Sequence, residues 1–271
     1  MSLFKTSFLK WSGSKRKQAL GIVRHFPADI SAYYEPFLGG GSVFLRAVEL
    51  YQDSIPYRLS DACAPLVGIW QTVRQDPSRL ASTYREHWLR FGQHKDYYYK
   101  IRERFNEAAD PCDFFFLLRT CYGGLVRFNA AGKFNSPVHH GRPGMRPDAV
   151  WELIRKVHHG LRFCDVQFTH CDYRTVDVPS GGFLYCDPPY LDDTAQMYGT
   201  APFFFDHFHD WLGTQKCRYA VSLYGERDGR PAGEGLPEHL YADRVLIEDQ
   251  GTTFDRLKGR KISRSDALYL R

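Results

Sequence analysis

The 271-residue chain lacks several features that mark other classes of protein. None of its apolar runs approaches the roughly 20 residues that a membrane span needs. Its first residues contain no apolar stretch long enough for a secretory signal, so we expect a cytoplasmic protein. The seven cysteines form no C-x-x-C pair, and such an odd, scattered set is typical of reduced thiols in an intracellular protein. Internal repeats and low-complexity linkers are also absent from the sequence.

Metal-site patterns are missing as well. The sequence contains the pairs His139-His140 and His158-His159, and a group formed by Cys164, His170 and Cys171. Their spacings match no standard zinc pattern. We therefore expect no metal, and we assign these side chains to packing, to the surface or to phosphate contacts.

What the chain does have is a sizeable apolar fraction and an uneven charge. With 43% apolar and 15% aromatic residues, it can form one large α/β domain or one domain with an insertion. Residues 64–163 hold 16 Lys/Arg against 9 Asp/Glu, whereas the rest of the chain holds 20 against 22. A basic middle segment favours a polyanionic partner such as nucleic acid. A solvated basic surface explains the charge equally well.

Strand patterns alternate with helix patterns on both sides of this middle segment. We predict strands at 32–35, 57–62, 166–173, 183–186 and 218–225, and a closing edge strand at 265–271. Helices are predicted at 15–25 and at 43–50, the second capped by Ser42, and residues 65–159 are mainly helical. This order predicts a doubly wound α/β sheet. Residues 1–63 and 164–271 would form the catalytic domain, and residues 64–163 an inserted, mainly helical domain.

Four polar stretches follow predicted strands, at the edge of the sheet where ligands bind in such folds: EPFLGGG, the turn at Asp61, CDY at residues 171–173 and DPPY at residues 187–190. In EPFLGGG, residues 35–41, the glycine turn lets a ligand approach the backbone beside a helix N-terminus. Asp61 ends the next strand, where an acid commonly accepts a ribose hydroxyl. Together they suggest a nucleoside-bearing cofactor. Taken singly, the first is also compatible with a plain strand–helix turn and the second with a helix N-cap.

The stretch YCDPPY, residues 185–190, carries the most specific chemistry. An ionised aspartate and the adjacent backbone carbonyls are hydrogen-bond acceptors only, and prolines fix their geometry. Two fixed acceptors match the two donors of an NH₂ group, and the tyrosine offers a flat face for stacking a base. The motif therefore favours binding of the exocyclic amine of a planar base, which would become more nucleophilic there. A proline turn that merely ends a strand is the alternative.

Five stretches occur in the sequence in this order: WSGSK, EPFLGGGSVFL, SDA, CDY and YCDPPY. In these stretches the chain resembles the Dam-type DNA adenine-N6 methyltransferases, the D12 class or α group. The resemblance extends from Leu9 to the C-terminus and includes the central RTCYGGLVRFNAAGKFNSP. It implies a Rossmann-like methyltransferase sheet with an inserted target-recognition domain, S-adenosyl-L-methionine as methyl donor and double-stranded DNA as substrate. The implied reaction is site-specific N6 methylation of adenine, by base flipping and direct in-line transfer.

The resemblance also implies roles for individual residues. The catalytic motif corresponds to Asp187, Pro188 and Tyr190. The cofactor-binding positions correspond to Trp11, Lys15, Glu35, Phe37, Gly39, Gly41, Asp61, Asp172 and Tyr173. The DNA-binding positions correspond to Lys10, Arg119, Tyr122, Leu125, Arg127, Asn129 and Pro137, with Tyr122 inserted into the base stack and Arg119 and Asn129 on phosphates.

Some stretches depart from the family pattern. Gly123 stands where the family has an asparagine, and VHHGRPGMRP after Pro137 differs from the Dam pattern, so GATC recognition is not carried over. The tail resembles methylases of restriction–modification systems and phages, which implies a bacterial or phage-infected cell and is compatible with a cognate restriction enzyme. Because a single chain carries every motif, we expect a monomer. Alternatives are a cytosine-N4 methyltransferase, an RNA or protein amine methyltransferase, and a catalytically dead DNA-binding regulator.

Overall fold

The structure, a computed structural model, describes residues 8–139, 141, 143–189, 200–233, 235–249 and 264–271. The strands are β1 Tyr33–Glu35, β2 Tyr57–Asp61, β3 Val166–His170, β4 Phe183–Cys186, β5 Arg218–Arg227, β6 Arg230–Pro231, β7 Asp243–Asp249 and β8 Arg264–Leu270. They form one sheet in the order β3-β2-β1-β4-β5-β8-β7, with β6 paired to β5. Strands β1 to β5 pair in parallel, whereas β6, β7 and β8 pair antiparallel. The predicted α/β fold with a mostly parallel sheet is confirmed.

The helices are α1 Ala19–Val23, α2 Ser42–Tyr51, α3 Ala64–Gln75, α4 Pro77–Gln93, α5 Tyr97–Ala108, α6 Pro111–Thr120, α7 Pro147–Gly160 and α8 Phe205–Thr214. Five of them, α3 to α7, lie between β2 and β3 in the chain. Short 3₁₀ turns occupy Tyr122–Gly124, Tyr173–Thr175 and Glu238–Leu240. Among the described residues, no helix is both long and apolar enough to cross a membrane.

Helix α6 lies at the centre of the helical segment. Its N-terminus is capped by Asp110, whose carboxylate accepts from the backbone N–H groups of Cys112 and Asp113, and Pro111 occupies the first turn. Residues 112–120 are all buried. A helix that is buried all round must be enclosed by other elements, and α3, α4 and α5 pack against it.

Helix α3 links the helical segment to the sheet. Trp70 stacks on Phe168 of β3, with ring centroids 5.4 Å apart, and meets Phe44 of α2 edge-on. The same helix packs against α6, and one hydrophobic cluster contains residues of the sheet and of α3 to α7. The division into residues 1–63 with 164–271 and residues 64–163 stays a prediction. One hydrophobic core contains side chains from both predicted domains.

The prediction of a closing edge strand is wrong. Strand β8 lies inside the sheet, between β5 and β7, and pairs antiparallel with both. Its Ala267 and Leu268 point to opposite faces of the sheet and are fully buried. Strand β7, which the sequence reading missed, supplies the second neighbour. A second pairing partner is a long-range property that the sequence of β8 does not reveal.

Smaller differences concern element ends. The first helix covers only Ala19–Val23, because the stretch before it forms a loop that runs to the sheet edge. Ser42 is the first helical residue of α2 and not its N-cap. The N-cap is Gly41, which adopts the left-handed conformation. Strand β5 continues beyond its predicted end at residue 225 to Arg227, where it forms a hairpin with β6.

Candidate active site

The strand order reverses between β1 and β4, since β2 and β3 continue on one side and β5 on the other. At such a switch point the carboxyl ends of the strands open a crevice for ligands. A cavity of about 310 Å³ lies there. It is lined by residues 11–15, 35–43, 61–62, 172–174, 187–189, 200–204, Tyr185 and His207. The cavity thus brings together all four strand-end stretches and the WSGSK loop.

The glycine turn after β1 forms one wall. Gly39 and Gly41 have φ angles of 48° and 62°, in the left-handed region that favours glycine. Gly41 is the N-cap of α2, so the positive end of the helix dipole lies beside the cavity. Trp11 packs over the turn, so closely that a Cβ atom added to Gly39 would lie 3.0 Å from Trp11 Cδ1. The backbone of the turn is therefore held against an aromatic side chain.

Asp61 ties the end of β2 to this turn. Its Oδ2 accepts from the Gly39 N–H at 2.9 Å, and its Oδ1 accepts from the Cys63 N–H at 2.9 Å. Burial raises the pKa of Asp61 to about 6, although the two backbone hydrogen bonds favour the ionised form. Each carboxylate oxygen retains a lone pair for a further donor.

Glu35 ends β1 and is 2% exposed. Its Oε2 accepts from the hydroxyl group of Tyr33 at 2.6 Å. Burial raises the pKa of Glu35 well above its ordinary value, and the charges of Asp187 and Asp61 add to the rise. A cation in the cavity would relieve this destabilisation of the carboxylate.

The turn after β3 forms the opposite wall. The Asp172 carboxylate accepts from the Arg174 backbone N–H and from two guanidinium nitrogens, each at 2.9 Å. The hydrogen bond from the Arg174 side chain holds the pKa of Asp172 below its ordinary value. The ring of Tyr173 lies 5.2 Å from that of Phe37 and 5.7 Å from that of Phe203. These three rings, which are tilted or edge-on to one another, give the cavity an aromatic side.

Asp187 follows the fully buried strand β4, which reads as a continuous apolar run because both faces of the sheet are covered. Its Oδ1 lies 3.2 Å from Lys15 Nζ. The same ammonium lies 2.8 Å from Oδ2 of Asp266 on β8. Burial of Lys15 would lower its pKa, but Asp187 and Asp266 together raise it above the ordinary value. Pro188 lines the cavity beside Asp187. The predicted stacking residue Tyr190 lies outside the described residues.

Comparison with known proteins decides the family. Residues 11–225 match the family model of the D12 class N6 adenine-specific DNA methyltransferases. The chain belongs to this family. Its reaction is therefore N6 methylation of adenine in DNA, and the family and the reaction predicted from the sequence are confirmed.

Similar proteins include two bacterial enzymes and one archaeal enzyme. A DNA adenine methylase of Salmonella typhi is 30% identical over 257 residues, covering 92% of this chain and 82% of the relative. A DNA adenine methylase of Escherichia coli K12 is 30% identical over 255 residues, with the same coverage. The Type II methyltransferase M.MjaIII of Methanocaldococcus jannaschii is 33% identical over 202 residues, or 68% of each chain.

The residues of this methyltransferase that were predicted to read DNA lie mostly on one exposed segment after α6. Exposed Leu125, Arg127 and Asn129 alternate with buried Val126 and Phe128, so the segment turns one face outward. The side chain of Asn129 also accepts from two backbone N–H groups of its own turn, those of residues 131 and 133.

Tyr122 begins this segment and is 57% exposed. Its ring stacks on that of His139 at 5.3 Å, and its backbone N–H donates to the carbonyl of Pro137, which is itself exposed. The exposed Lys10 approaches the same place, because a Cβ atom on Gly124 would lie 3.4 Å from Lys10 Cδ. Contact of these side chains with DNA stays a prediction.

Arg119 differs from the other predicted DNA contacts. It is 2% exposed, since α6 is buried on all sides. Its Nη1 donates to the backbone carbonyl of Phe8, its Nη2 lies 3.1 Å from Met145 Sδ, and its guanidinium lies over the ring of Phe115. In this structure the guanidinium ties the N-terminal segment to α6 and is turned away from solvent.

Two residues with site-like contacts were missed by sequence reasoning. Asp266 shares the Lys15 ammonium with Asp187, and His139 supports the ring of Tyr122. For Asp266, an acid immediately before the apolar run ALYL was a signal, but its significance depends on β8 being an interior strand. For His139, no local pattern predicts this contact, because stacking on Tyr122 follows from the folded turn.

Proposed function

We propose that this methyltransferase takes its methyl group from S-adenosyl-L-methionine bound in the cavity at the β1–β4 switch point, and that it methylates an adenine flipped out of double-stranded DNA. The observation that carries the proposal is the cavity itself. One space of about 310 Å³ is lined by the glycine turn and Asp61 and also by Asp187. A nucleoside-type cofactor site and an amine-holding motif are thus contiguous.

The charge of the cavity supports a cationic donor. Glu35, Asp61 and Asp187 line it with Lys15, while Asp172 is paired with Arg174. Among the described residues that line the cavity, the acids outnumber Lys and Arg, and a net positive ligand would offset the excess. S-adenosyl-L-methionine supplies a methyl group on a positively charged sulfur atom.

Individual residues fit the parts of that cofactor. Asp61 would accept from the ribose hydroxyls, as acids in this position commonly do. Tyr173 and Phe37 offer an aromatic surface for the adenine ring, with Asp172 beside them. Glu35 and the N-terminus of α2 suit the amino and carboxylate groups of the methionine part. Trp11 covers the glycine turn that must lie close to the ligand.

We assign the target amine to Asp187 and Pro188. The Lys15 ammonium 3.2 Å away favours an ionised Asp187, which can only accept hydrogen bonds. The backbone carbonyl at Pro188 is a second acceptor on a rigid segment. Positioning and electrostatics of this kind are the main contributions such a site can make to direct transfer. Stacking of the base on Tyr190 stays a prediction.

A covalent intermediate is not required. Cys186 is the cysteine adjacent to Asp187 in sequence, and its side chain is fully buried in β4. Burial raises the pKa of Cys186 well above its ordinary value, which disfavours the nucleophilic thiolate. A single chain carries every motif, so we propose that the enzyme acts as a monomer, in the cytoplasm. The Type II name of M.MjaIII supports a role in a restriction–modification system, with a cognate restriction enzyme.

The test uses purified protein, S-adenosyl-L-methionine and unmethylated genomic DNA, with modified bases mapped by long-read sequencing. N6-methyladenine is expected at one short motif. Asp187→Ala should abolish it while leaving DNA affinity within about threefold, because Asp187 is assigned to the amine rather than to the duplex. Asp210→Ala, an exposed acid on α8, is the matched control and should methylate normally.

Two results would refute parts of this proposal. Methylation retained in Asp187→Ala would remove Asp187 from the catalytic role, and an equal loss of DNA binding would turn that role into one of DNA contact. Calorimetric titration with S-adenosyl-L-methionine tests the cofactor separately, and absence of binding by the native protein would reject it.

A further inference from the structure

Lys15 sits between two carboxylates that come from distant parts of the chain. Its Nζ lies 2.8 Å from Asp266 Oδ2 and 3.2 Å from Asp187 Oδ1. Gln18 Nε2 donates to the same Asp266 oxygen at 3.1 Å. The Lys15 residue is 5% exposed. The loop before α1, the end of β4 and the interior strand β8 therefore meet at one buried ammonium.

Burying the carboxylate of Asp266 costs free energy unless a partner stabilises its charge. Asp266 lies on β8, where it pairs with Tyr224 of β5 and Ile247 of β7, and its side chain is 14% exposed. Taking a carboxylate out of water is unfavourable, and an apolar residue would pack such a strand at lower cost. What Asp266 provides is a fixed negative charge for the ammonium of Lys15.

We infer that Asp266 is a positioning residue for methyl transfer: together with Gln18 it anchors the Lys15 ammonium, and the anchored ammonium fixes the orientation of the Asp187 carboxylate. This inference rests on the proposed role of Asp187. Lysine side chains are long and flexible, and one held by Asp187 alone would move with it. Asp266 lies on a strand that is paired on both sides and also accepts from Gln18, so β8 is the fixed end of the pair of contacts.

Charge adds to the effect of orientation. One ammonium between two carboxylates leaves one net negative charge beside the assigned site of the target amine. Among the described residues, the charge of Tyr185 also bears on Lys15 and Asp187, and that of Glu35 bears on Asp187. In the transfer, the amine nitrogen would form a bond to the methyl carbon as the carbon–sulfur bond of the sulfonium breaks, so positive charge would move from sulfur to nitrogen. A proton would then pass from the nitrogen to solvent. A fixed negative charge aimed at that position stabilises the transition state more than the bound substrates.

The experiment is a single-turnover assay with enzyme in excess over unmethylated plasmid DNA and saturating S-adenosyl-L-methionine. Asp266→Asn keeps the size of the side chain and removes its charge. We expect its rate constant to fall about tenfold or more, since small misplacements of a catalytic group have effects of this size. Dissociation constants for S-adenosyl-L-methionine and for DNA should stay within about threefold. Glu248→Gln, the same change at an exposed residue of β7, should leave all three values unchanged.

A double-mutant cycle separates positioning from a structural role. If Asp266 acts through Lys15, adding Asp266→Asn to Lys15→Met should change the rate by less than about threefold. The inference is overturned if Asp266→Asn has a native rate, or if its loss is equally large in the Lys15→Met background. Should Asp266→Asn fail to fold, Gln18→Ala decides: a loss of about threefold or more supports the inference, and a native rate overturns it.

The same assay distinguishes this inference from the proposed function. If Asp187→Ala retains the native rate, the proposed role of Asp187 fails and the inference fails with it. If Asp187→Ala is inactive while Asp266→Asn is fully active, only the assignment of Asp266 is wrong.

Discussion

The turn at Gly41 leaves no room for a side chain, and we expect Gly41→Ala to destabilise the protein. An added Cβ atom would lie 2.3 Å from Trp70 Cζ2, well inside van der Waals contact. Trp70 has little freedom to move away. It is fully buried, its Nε1 donates to the Gly39 carbonyl at 3.1 Å, and its ring stacks on Phe168 and meets Phe44 edge-on.

Two costs add in this substitution. Placing alanine at a φ of 62° costs about 1 kcal/mol relative to glycine. Forcing extra atoms into a packed core costs about 1–3 kcal/mol. The free energy of unfolding should therefore fall by about 2–4 kcal/mol. For a chain of this size that lowers the melting temperature by roughly 5–10 °C.

The assay is thermal unfolding of matched glycine variants followed by calorimetric titration with S-adenosyl-L-methionine. Gly92→Ala is the control, because a Cβ atom on this α4 residue has no neighbour within 4 Å and alanine favours a helix. Gly40→Ala probes the same turn with a milder contact, 3.3 Å to Trp11 Cβ. The reasoning is refuted if Gly41→Ala melts at the same temperature as Gly92→Ala.

Three further predictions concern single residues. The pKa of Asp61 near 6 exceeds its value in the unfolded chain, so its contribution to stability decreases as the pH rises from about 4 to about 6. Cofactor affinity, measured by calorimetry, should weaken as the pH falls below about 6, and a flat profile from pH 5 to 8 would contradict this. Asp113→Asn should lower the free energy of unfolding in urea by about 2–3 kcal/mol at pH 7, because His87 and Arg104 both bind the buried carboxylate. The effect is kept to this size because Arg104 is half-exposed and solvent screens its charge. Burial opposes ionisation of Asp113, but these partners lower its pKa, so the contribution is present above about pH 4 and is lost in stronger acid; native stability in the variant would contradict it. Arg127→Ala should leave the melting temperature unchanged and reduce discrimination at one guanine by about 1–3 kcal/mol, measured as relative rates on substituted sites.

The predictable parts of the site are those whose functional residues lie close together in the sequence. The glycine turn needs Gly39 and Gly41, which are separated by one residue, in the left-handed conformation, whatever lies around the turn. A rigid pair of acceptors needs the aspartate and the prolines side by side. Strand β4 has no polar residue that would interrupt its apolar run. Because parallel strands bring their carboxyl ends to one edge, local motifs at these ends were sufficient to predict a shared cavity.

The parts that were not predictable depend on which strands become neighbours. The sequence DRVLIED has only three apolar residues, with two charged residues on each side, in the manner of a surface segment, yet it forms β7 and pairs with the outer side of β8. Once β8 is an interior strand, the acid at 266 can no longer be a solvated side chain and requires a partner. That partner, Lys15, lies about 250 residues away in sequence, in a loop that was predicted to be helical. Pairings over such distances leave no local pattern, so a residue coupled to the catalytic motif was recognisable only after the sheet order was known.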